Sequence, residues 1–152
     1  MNIDRKFHKT ILKKLDYFVN NNKIPNLIFY GDSGAGKSTI IKYIINQIYK
    51  SNPDHINKFV MFINCAHGKG IKFIRDDLKF FAKTHINIEK GLIKSIVLLN
   101  ADKLTVDAQS ALRRCIEQYS HTTRFFIKVE DCSQLLKPIT SRFSSIYVPI
   151  PK

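Results

Sequence analysis

Long apolar runs are missing from this sequence of 152 residues. No run approaches the roughly 20 apolar residues that a membrane-spanning helix needs, and the N-terminal stretch MNIDRKFHKT lacks the apolar core of a signal peptide. Cysteine is scarce, and Cys65, Cys115 and Cys132 share no C-x-x-C spacing. These absences argue against a membrane partner, a disulfide framework and a closed zinc site, and they predict an intracellular protein with reduced thiols.

Acidic residues are few compared with basic ones. The chain has 12 Asp and Glu against 25 Lys and Arg, which gives a net charge of +13 and a pI of about 9.8. Because such an excess repels itself within a folded chain, it is typical of proteins with a polyanionic partner, and nucleic acid is the first candidate. The alternative is a general bias toward lysine, since the charges are spread along the chain.

Short apolar segments alternate with helix-like segments along the chain. Strands are predicted at 26–30, 58–64, 95–100, 124–130 and 144–150. Helical periodicity predicts helices at 5–19, 37–49, 70–83 and 105–119, and a short helix at 133–136 that Pro138 should end. This alternation predicts an α/β fold with a mainly parallel five-stranded sheet and helices on both faces. Ligands of such sheets bind at the carboxyl ends of the strands, so we expect the chemistry there.

The stretch GDSGAGKST, residues 31–39, follows a predicted strand and opens a predicted helix. It fits the phosphate-loop pattern G-x-x-x-x-G-K-[ST], in which backbone N–H groups and a helix N-terminus cradle phosphate oxygens. We expect Lys37 to reach the β- and γ-phosphates and Ser38 to ligate Mg²⁺. NADK at 100–103 does not match the guanine signature Asn-Lys-x-Asp, so ATP with Mg²⁺ is the predicted ligand. The predicted nucleotide-binding residues are Gly31, Asp32, Ser33, Gly34, Ala35, Gly36, Lys37, Ser38 and Thr39.

Several stretches together resemble the small subunits of replication factor C, which are clamp-loader ATPases of the AAA+ superfamily. NLIFYGDSGAGKST, ADKLTVDAQSALRRCIEQYSHTTRF and PITSRF occur in the family's order, and the similarity runs from about residue 8 to 151. The resemblance implies an AAA+ type phosphate-loop NTPase domain and an ATP-binding subunit of an open ring of five subunits. It also implies the partners, which are other clamp-loader subunits, a sliding clamp and the primer–template DNA onto which the clamp is loaded during DNA replication.

The sequence departs from the family pattern at the residues expected to manage magnesium and water. The Asp-Glu pair of the Walker B strand is replaced by Leu99 and Asn100, and the sensor asparagine of the next strand by Glu130. Leucine cannot hold Mg²⁺, and asparagine is a poor base, so we predict ATP binding with little or no intrinsic hydrolysis. Glu130 is a candidate replacement for the lost acid if its strand lies beside the phosphate-loop strand. The alternative is a solvent-facing or repulsive carboxylate.

The same resemblance bears on domain organisation and location. The chain ends at Pro151-Lys152, where the family's helical lid and collar domains would begin. We therefore expect one AAA+ nucleotide-binding domain over 1–152, without those two domains. The expected location is intracellular, in the nucleus of a eukaryotic cell or in the replication compartment of a virus.

The helix predicted at 70–83 carries Lys72, Arg75 and Lys79 on one side. The resemblance implies that this helix faces the DNA in the assembled ring, where positive side chains would contact phosphates without reading sequence. An ordinary solvated helix face is the alternative.

Three arginines have expected roles between subunits. The resemblance places Arg113 and Arg114 at an interface with a neighbouring subunit. Arg142 in PITSRF is expected to be exposed and to act in trans as an arginine finger on the γ-phosphate of ATP held by the adjacent subunit. The alternative is a surface arginine in a salt bridge.

Two other functions remain open from the sequence. One is a free-standing phosphate-loop kinase or other NTPase, although the chain shows neither an arginine-rich lid nor an acceptor site. The other is a non-catalytic scaffold subunit that no longer binds nucleotide.

Overall fold

Five strands form one parallel sheet in the part of the chain that the computed structural model describes, residues 8–67, 70–83 and 93–150. The order across the sheet is β2-β3-β4-β1-β5, and each neighbouring pair is parallel. The predicted α/β class and parallel five-stranded sheet are confirmed. The strands are β1 (Leu27–Tyr30), β2 (Val60–Asn64), β3 (Lys94–Leu99), β4 (Thr123–Val129) and β5 (Ser144–Tyr147).

The first helix precedes β1, and the other helices lie between strands along the chain. Helix α4 combines α-helical Ile71–Phe73 and Lys79–Lys83 with a π-helical middle, Ile74–Leu78. Among the described residues, no helix is both long enough and apolar enough to cross a membrane. The first three residues of the helix predicted at 5–19, and the ends of the predicted domain, lie outside the described residues. The helices are α1 (Lys9–Asn20), α2 (Lys37–Ile48), α3 (Pro53–Phe59), α4 (71–83), α5 (Val106–Tyr119) and α6 (Lys137–Thr140).

Helices cover both faces of the sheet, as predicted, because strands that are apolar on both sides need two layers to bury them. Helices α1 and α2 cover one face, and α4 and α5 cover the other. The first layer buries Leu15, Leu27, Phe29, Ile41, Ile44, Val97 and Phe126. The second layer buries Ile74, Leu78, Ile96, Leu112, Ile116, Phe125 and Ile127.

The start of β2 corrects the strand predicted at 58–64. Lys58 and Phe59 belong to α3, and the strand begins only at Val60. The side-chain oxygen of Asn52 accepts hydrogen bonds from the backbone N–H groups of Asp54 and His55, which is a standard helix N-cap. Pro53 stands in the first turn, where no intrahelical N–H is needed. The prediction missed this N-cap signal and therefore extended the strand backwards.

The segment around Pro138 also differs from the prediction. Instead of a helix at 133–136 ended by proline, the chain forms a 3₁₀ turn at Cys132–Gln134, and Pro138 lies in the first turn of α6. Proline fits this position because its missing N–H would have no helical partner there. The predicted helix at 105–119 is confirmed, with Thr105 as N-cap to the Ala108 N–H.

Candidate nucleotide-binding site

The phosphate loop connects β1 to α2 at the edge of the sheet where β3 and β4 also end. Gly31 and Gly36 have φ values of 148° and 96°, which side-chain-bearing residues rarely adopt. Gly31 is also crowded, since a Cβ there would lie 2.4 Å from the carbonyl oxygen of Val148. A Cβ at Gly36 would lie 3.1 Å from Nε2 of the buried His8. The loop therefore needs glycine at both positions.

A cavity of about 380 Å³ opens between the loop and the ends of β3 and β4. The N-terminus of α2 points its first backbone N–H groups into this region, which favours an anion. Six of the nine predicted nucleotide-binding residues line the cavity, together with three residues from the segments that follow or form the ends of β3 and β4. The lining residues are Ser33, Gly34, Gly36, Lys37, Ser38, Thr39, Asn100, Lys128 and Glu130.

Lys37 is a cation at the floor of this cavity, with only 4% of its surface exposed. Its Nζ donates hydrogen bonds to the carbonyl oxygens of Gly31 at 2.5 Å and Asp32 at 2.7 Å. Burial lowers the pKa of Lys37, and so does the charge of Lys128, while Glu130 and other carboxylates oppose these effects. A phosphate would compensate this positive charge, so the loop fits nucleotide phosphates.

Lys128 is a site residue that the sequence reasoning missed. Its Nζ donates a hydrogen bond of 3.1 Å to Oγ of Ser38. Side chains alternate along β4, so Lys128 shares the α2 face of the sheet with Phe126, which packs in the α2 layer. That alternation was the available signal, but both faces of β4 are largely buried, so alternation alone does not tell which face meets α2.

The end of β3 lacks the strand-end carboxylate of a magnesium site. Leu99 is half-buried and packs against the α2 layer. Asn100 lines the cavity, has a left-handed backbone with φ of 58°, and donates from Nδ2 to Oδ1 of Asn64 at 3.0 Å. The described residues include no cluster of three acidic, histidine or cysteine side chains suited to a metal. With the Ser38 hydroxyl bonded to an ammonium group, these residues do not fit the predicted Mg²⁺.

Glu130 lines the cavity and directly follows β4, which lies between β1 and β3 as the prediction requires. Its backbone carbonyl accepts a hydrogen bond of 3.2 Å from the Gly31 N–H, which ties β4 to the start of the loop. Burial and the charge of Lys128 lower the pKa of Lys37, and the carboxylates of Glu130, Asp32 and Asp102 partly oppose this, in decreasing order. Asp102 lies in the 3₁₀ turn after β3. The catalytic role of Glu130 stays a prediction.

Arg142 lies after α6 and is partly exposed, as predicted. Its Nη2 forms an ion pair of 2.5 Å with Oε1 of Glu117, and its Nη1 donates to the Pro138 carbonyl at 2.7 Å. The same Glu117 oxygen accepts from Arg113 at 3.2 Å, one turn earlier on α5. Arg113 and Arg142 therefore form one surface cluster around Glu117. The roles of both arginines between subunits stay predictions.

Helix α4 exposes Lys72, Arg75 and Lys79, the predicted DNA contacts. Arg75 and Lys79 border a second cleft of about 250 Å³ between α4 and α5, and Arg114 borders the same cleft. The structure thus separates the two arginines that the prediction paired, with Arg114 beside the α4 cations and Arg113 beside Arg142. DNA binding by these residues stays a prediction.

Comparison with known proteins finds relatives along nearly the whole chain. It is 35% identical over 135 residues to human "Replication factor C subunit 5", which is 89% of this chain and 39% of that protein. It is 35% identical over 145 residues to "Replication factor C subunit 3" of Schizosaccharomyces pombe, with 95% and 41% coverage. The "Replication factor C small subunit" of Natronomonas pharaonis is 37% identical over 136 residues. The chain thus spans about two-fifths of the length of these relatives. No family model matches it.

Solved structures show the same fold at lower identity. A DNA polymerase III gamma subunit-related protein of Thermotoga maritima superposes with a TM-score of 0.75 at 18% identity, over 93% of this chain and 46% of that one. The Aeropyrum pernix ORC1 protein, solved in complex with DNA, gives 0.65 at 15% identity, with 93% and 45% coverage. The fold is that of an AAA+ type phosphate-loop NTPase. Over most of its length, the chain is similar in sequence to replication factor C subunits, at about 35% identity.

Proposed function

We propose that the chain supplies the ATP-binding domain of a replication factor C-like clamp-loader subunit, in the compartment where DNA is replicated. The observation that carries the proposal is the buried Lys37 at the floor of the 380 Å³ cavity, beneath a glycine-bearing loop and the N-terminus of α2. A scaffold that binds no nucleotide would not need a cation at this place, where burial and repulsion from the ammonium group of Lys128 both disfavour a positive charge. The proposed partners are other clamp-loader subunits, a sliding clamp and primer–template DNA. The viral location has no support among the relatives described above.

The first experiment measures ATP and ADP binding by calorimetry for the chain and for Lys37→Ala. We expect binding by the wild type and a loss of at least about tenfold on removal of the lysine, since a charged contact to phosphate is lost. Lys42→Ala, an exposed lysine on the same helix, is the matched control. Equal affinity in wild type and Lys37→Ala would contradict the proposal. Co-purification with a sliding clamp on primed DNA then separates a clamp-loader subunit from a free-standing kinase or NTPase.

The proposed domain hydrolyses ATP weakly by itself, because Leu99 and Asn100 stand where the family has its acidic pair. Single-turnover hydrolysis with purified protein tests this, and a rate equal to that of an intact family member would overturn it. Glu130 is the candidate acid that remains at the cavity. If Glu130→Gln leaves both residual hydrolysis and ATP affinity unchanged, the carboxylate has no role there.

The proposed contribution in trans rests on Arg142, an exposed guanidinium on the domain surface. In a reconstituted assembly we expect Arg142→Ala to lower hydrolysis at the site it serves by on the order of 10³. Total ATP hydrolysis should then fall by that site's share, with this chain's own ATP affinity preserved. Lys137→Ala removes an exposed positive charge from α6, the helix just before Arg142, and is the control. If Arg142→Ala and Lys137→Ala behave alike, Arg142 is not a finger.

A further inference from the structure

The hydroxyl of Ser38 has an ammonium group as its neighbour. Ser38 is the second residue of α2, and its Oγ accepts a hydrogen bond of 3.1 Å from Nζ of Lys128. A hydroxyl lone pair at this point of a phosphate loop ordinarily faces a divalent cation that bridges phosphate oxygens. In this chain the ammonium group of Lys128 lies where that divalent cation would otherwise face the hydroxyl.

The register of the sheet links this ammonium to the missing acid. Leu99 at the end of β3 is directly paired with Lys128 of β4. The two departures, an acid lost and a base gained, therefore lie side by side on neighbouring strands. A magnesium ion beside one carboxylate has a formal net charge of plus one, and an ammonium beside a leucine has the same. The pair keeps the charge of a metal site without the metal.

The electrostatics of the cavity favour a polyanion over a second cation. Lys37 and Lys128 both border the cavity, and the charge of Lys128 adds to burial in lowering the pKa of Lys37. Two ammonium groups so close repel each other unless an anion lies between them. The carboxylate of Glu130 offsets part of this charge. An added Mg²⁺ would meet both ammonium groups and only that carboxylate at the cavity lining.

We propose that Lys128 takes the place of Mg²⁺, so that this site binds nucleoside di- and triphosphates as their metal-free anions. The inference rests on the proposed nucleotide binding and specifies the ionic form of its ligand. Lys37 and the loop N–H groups hold the phosphates from one side. Lys128 contacts them from the β4 side, where its ammonium group lies beside the Ser38 hydroxyl.

The experiment compares ATP and ADP affinity of the wild type by calorimetry in excess Mg²⁺ and in excess EDTA. We expect the affinity in EDTA to equal or exceed that in Mg²⁺, because the metal lowers the negative charge of the ligand and competes with Lys128. A fall of more than tenfold on removing Mg²⁺ would overturn the inference while leaving nucleotide binding intact. Absence of binding in both buffers would instead overturn the proposed function.

Variants assign the effect to the lysine. Lys128→Met should lower the affinity in EDTA at least tenfold, whereas Lys128→Arg, which keeps the charge, and Lys42→Met, an exposed control on α2, should not. The double variant Leu99→Asp/Lys128→Ala should bind ATP more tightly with Mg²⁺ than without it. If Lys128→Met does not fold, the wild-type and Lys128→Arg comparisons decide. Unchanged EDTA affinity in a folded Lys128→Met protein would refute the inference.

Discussion

Gln109 is a buried polar residue whose replacement should destabilise the fold in a measurable way. It lies on α5 with 3% of its surface exposed. Its Nε2 donates to the carbonyl oxygens of Leu104 at 3.2 Å and Gln134 at 3.1 Å, and its Oε1 accepts from the Leu136 N–H at 2.9 Å. One side chain thus connects the start of α5 to the segment that leads into α6. We choose Gln109→Leu because leucine has a similar volume and cannot make these bonds.

The expected cost follows from the groups left without partners. One buried N–H and two carbonyls each lose a hydrogen bond, and an unsatisfied buried group costs about 1–3 kcal/mol. The three groups together would cost about 3–9 kcal/mol, but carbonyls can keep other partners and part of this segment reaches water. We therefore expect a total near the lower end, about 3–4 kcal/mol. For a domain of this size the melting temperature should fall by about 2–4 °C per kcal/mol.

Urea denaturation followed by circular dichroism measures this loss, with the slope m checked for constancy between variants. Gln118→Leu is the matched control, because Gln118 is on the same helix and exposed. We expect Gln118→Leu to change the free energy of unfolding by less than about 0.5 kcal/mol. If Gln109→Leu costs no more than the control, the three hydrogen bonds do not stabilise the protein and the reasoning is wrong.

Three further predictions concern the loop, the thiols and DNA. Gly31→Ala should lower the free energy of unfolding by more than about 1 kcal/mol, because of its φ of 148° and its contact with Val148, whereas Gly70→Ala, with nothing within 4 Å, should change it little. Burial raises the pKa of Cys65 and of Cys115 to about 12 from 9.0. Both thiols should therefore alkylate about a thousandfold more slowly at pH 8 than in the denatured chain, as mass spectrometry can measure, and equal rates would contradict their burial. If the exposed α4 cations contact DNA phosphates, Lys72→Ala/Arg75→Ala should reduce the salt slope of DNA binding by about two, and Lys42→Ala/Lys58→Ala on other helices should leave it unchanged.

The sequence predicted those parts of the fold that depend on local pattern. The phosphate loop is encoded by glycines whose backbone angles few other residues adopt, so its place between β1 and α2 could be read directly. Thr105 predicts the start of α5 because an N-cap side chain accepts a hydrogen bond from a backbone N–H only a few residues later, here that of Ala108. The five strands were found because each is a short apolar run. Helix α3 was missed because only Asn52 and Pro53 signal it, just before a strand.

The parts of the site that were missed depend on contacts between distant segments. The approach of Lys128 to Ser38 follows from the pairing of β4 beside β1. Alternation puts Lys128 on the same face of β4 as Phe126, but no local pattern encodes which helices cover that face. The separation of Arg113 from Arg114 follows from the packing of α5, which turns one toward α6 and the other toward α4. Spacing along one helix could not assign the two arginines to different neighbours.

The ion pair between Arg142 and Glu117 bears on whether an arginine so engaged can serve a neighbouring subunit. The two side chains are 40% and 36% exposed, and an ion pair this open to water contributes only about 0–1 kcal/mol. A triphosphate offers a stronger, bidentate partner to a guanidinium. Moreover, Glu117 would not be left alone, because the same oxygen is bonded to Arg113. The ion pair is therefore no barrier to the proposed finger: it holds Arg142 at the domain surface at little cost, and a phosphate presented by an adjacent subunit can replace the carboxylate.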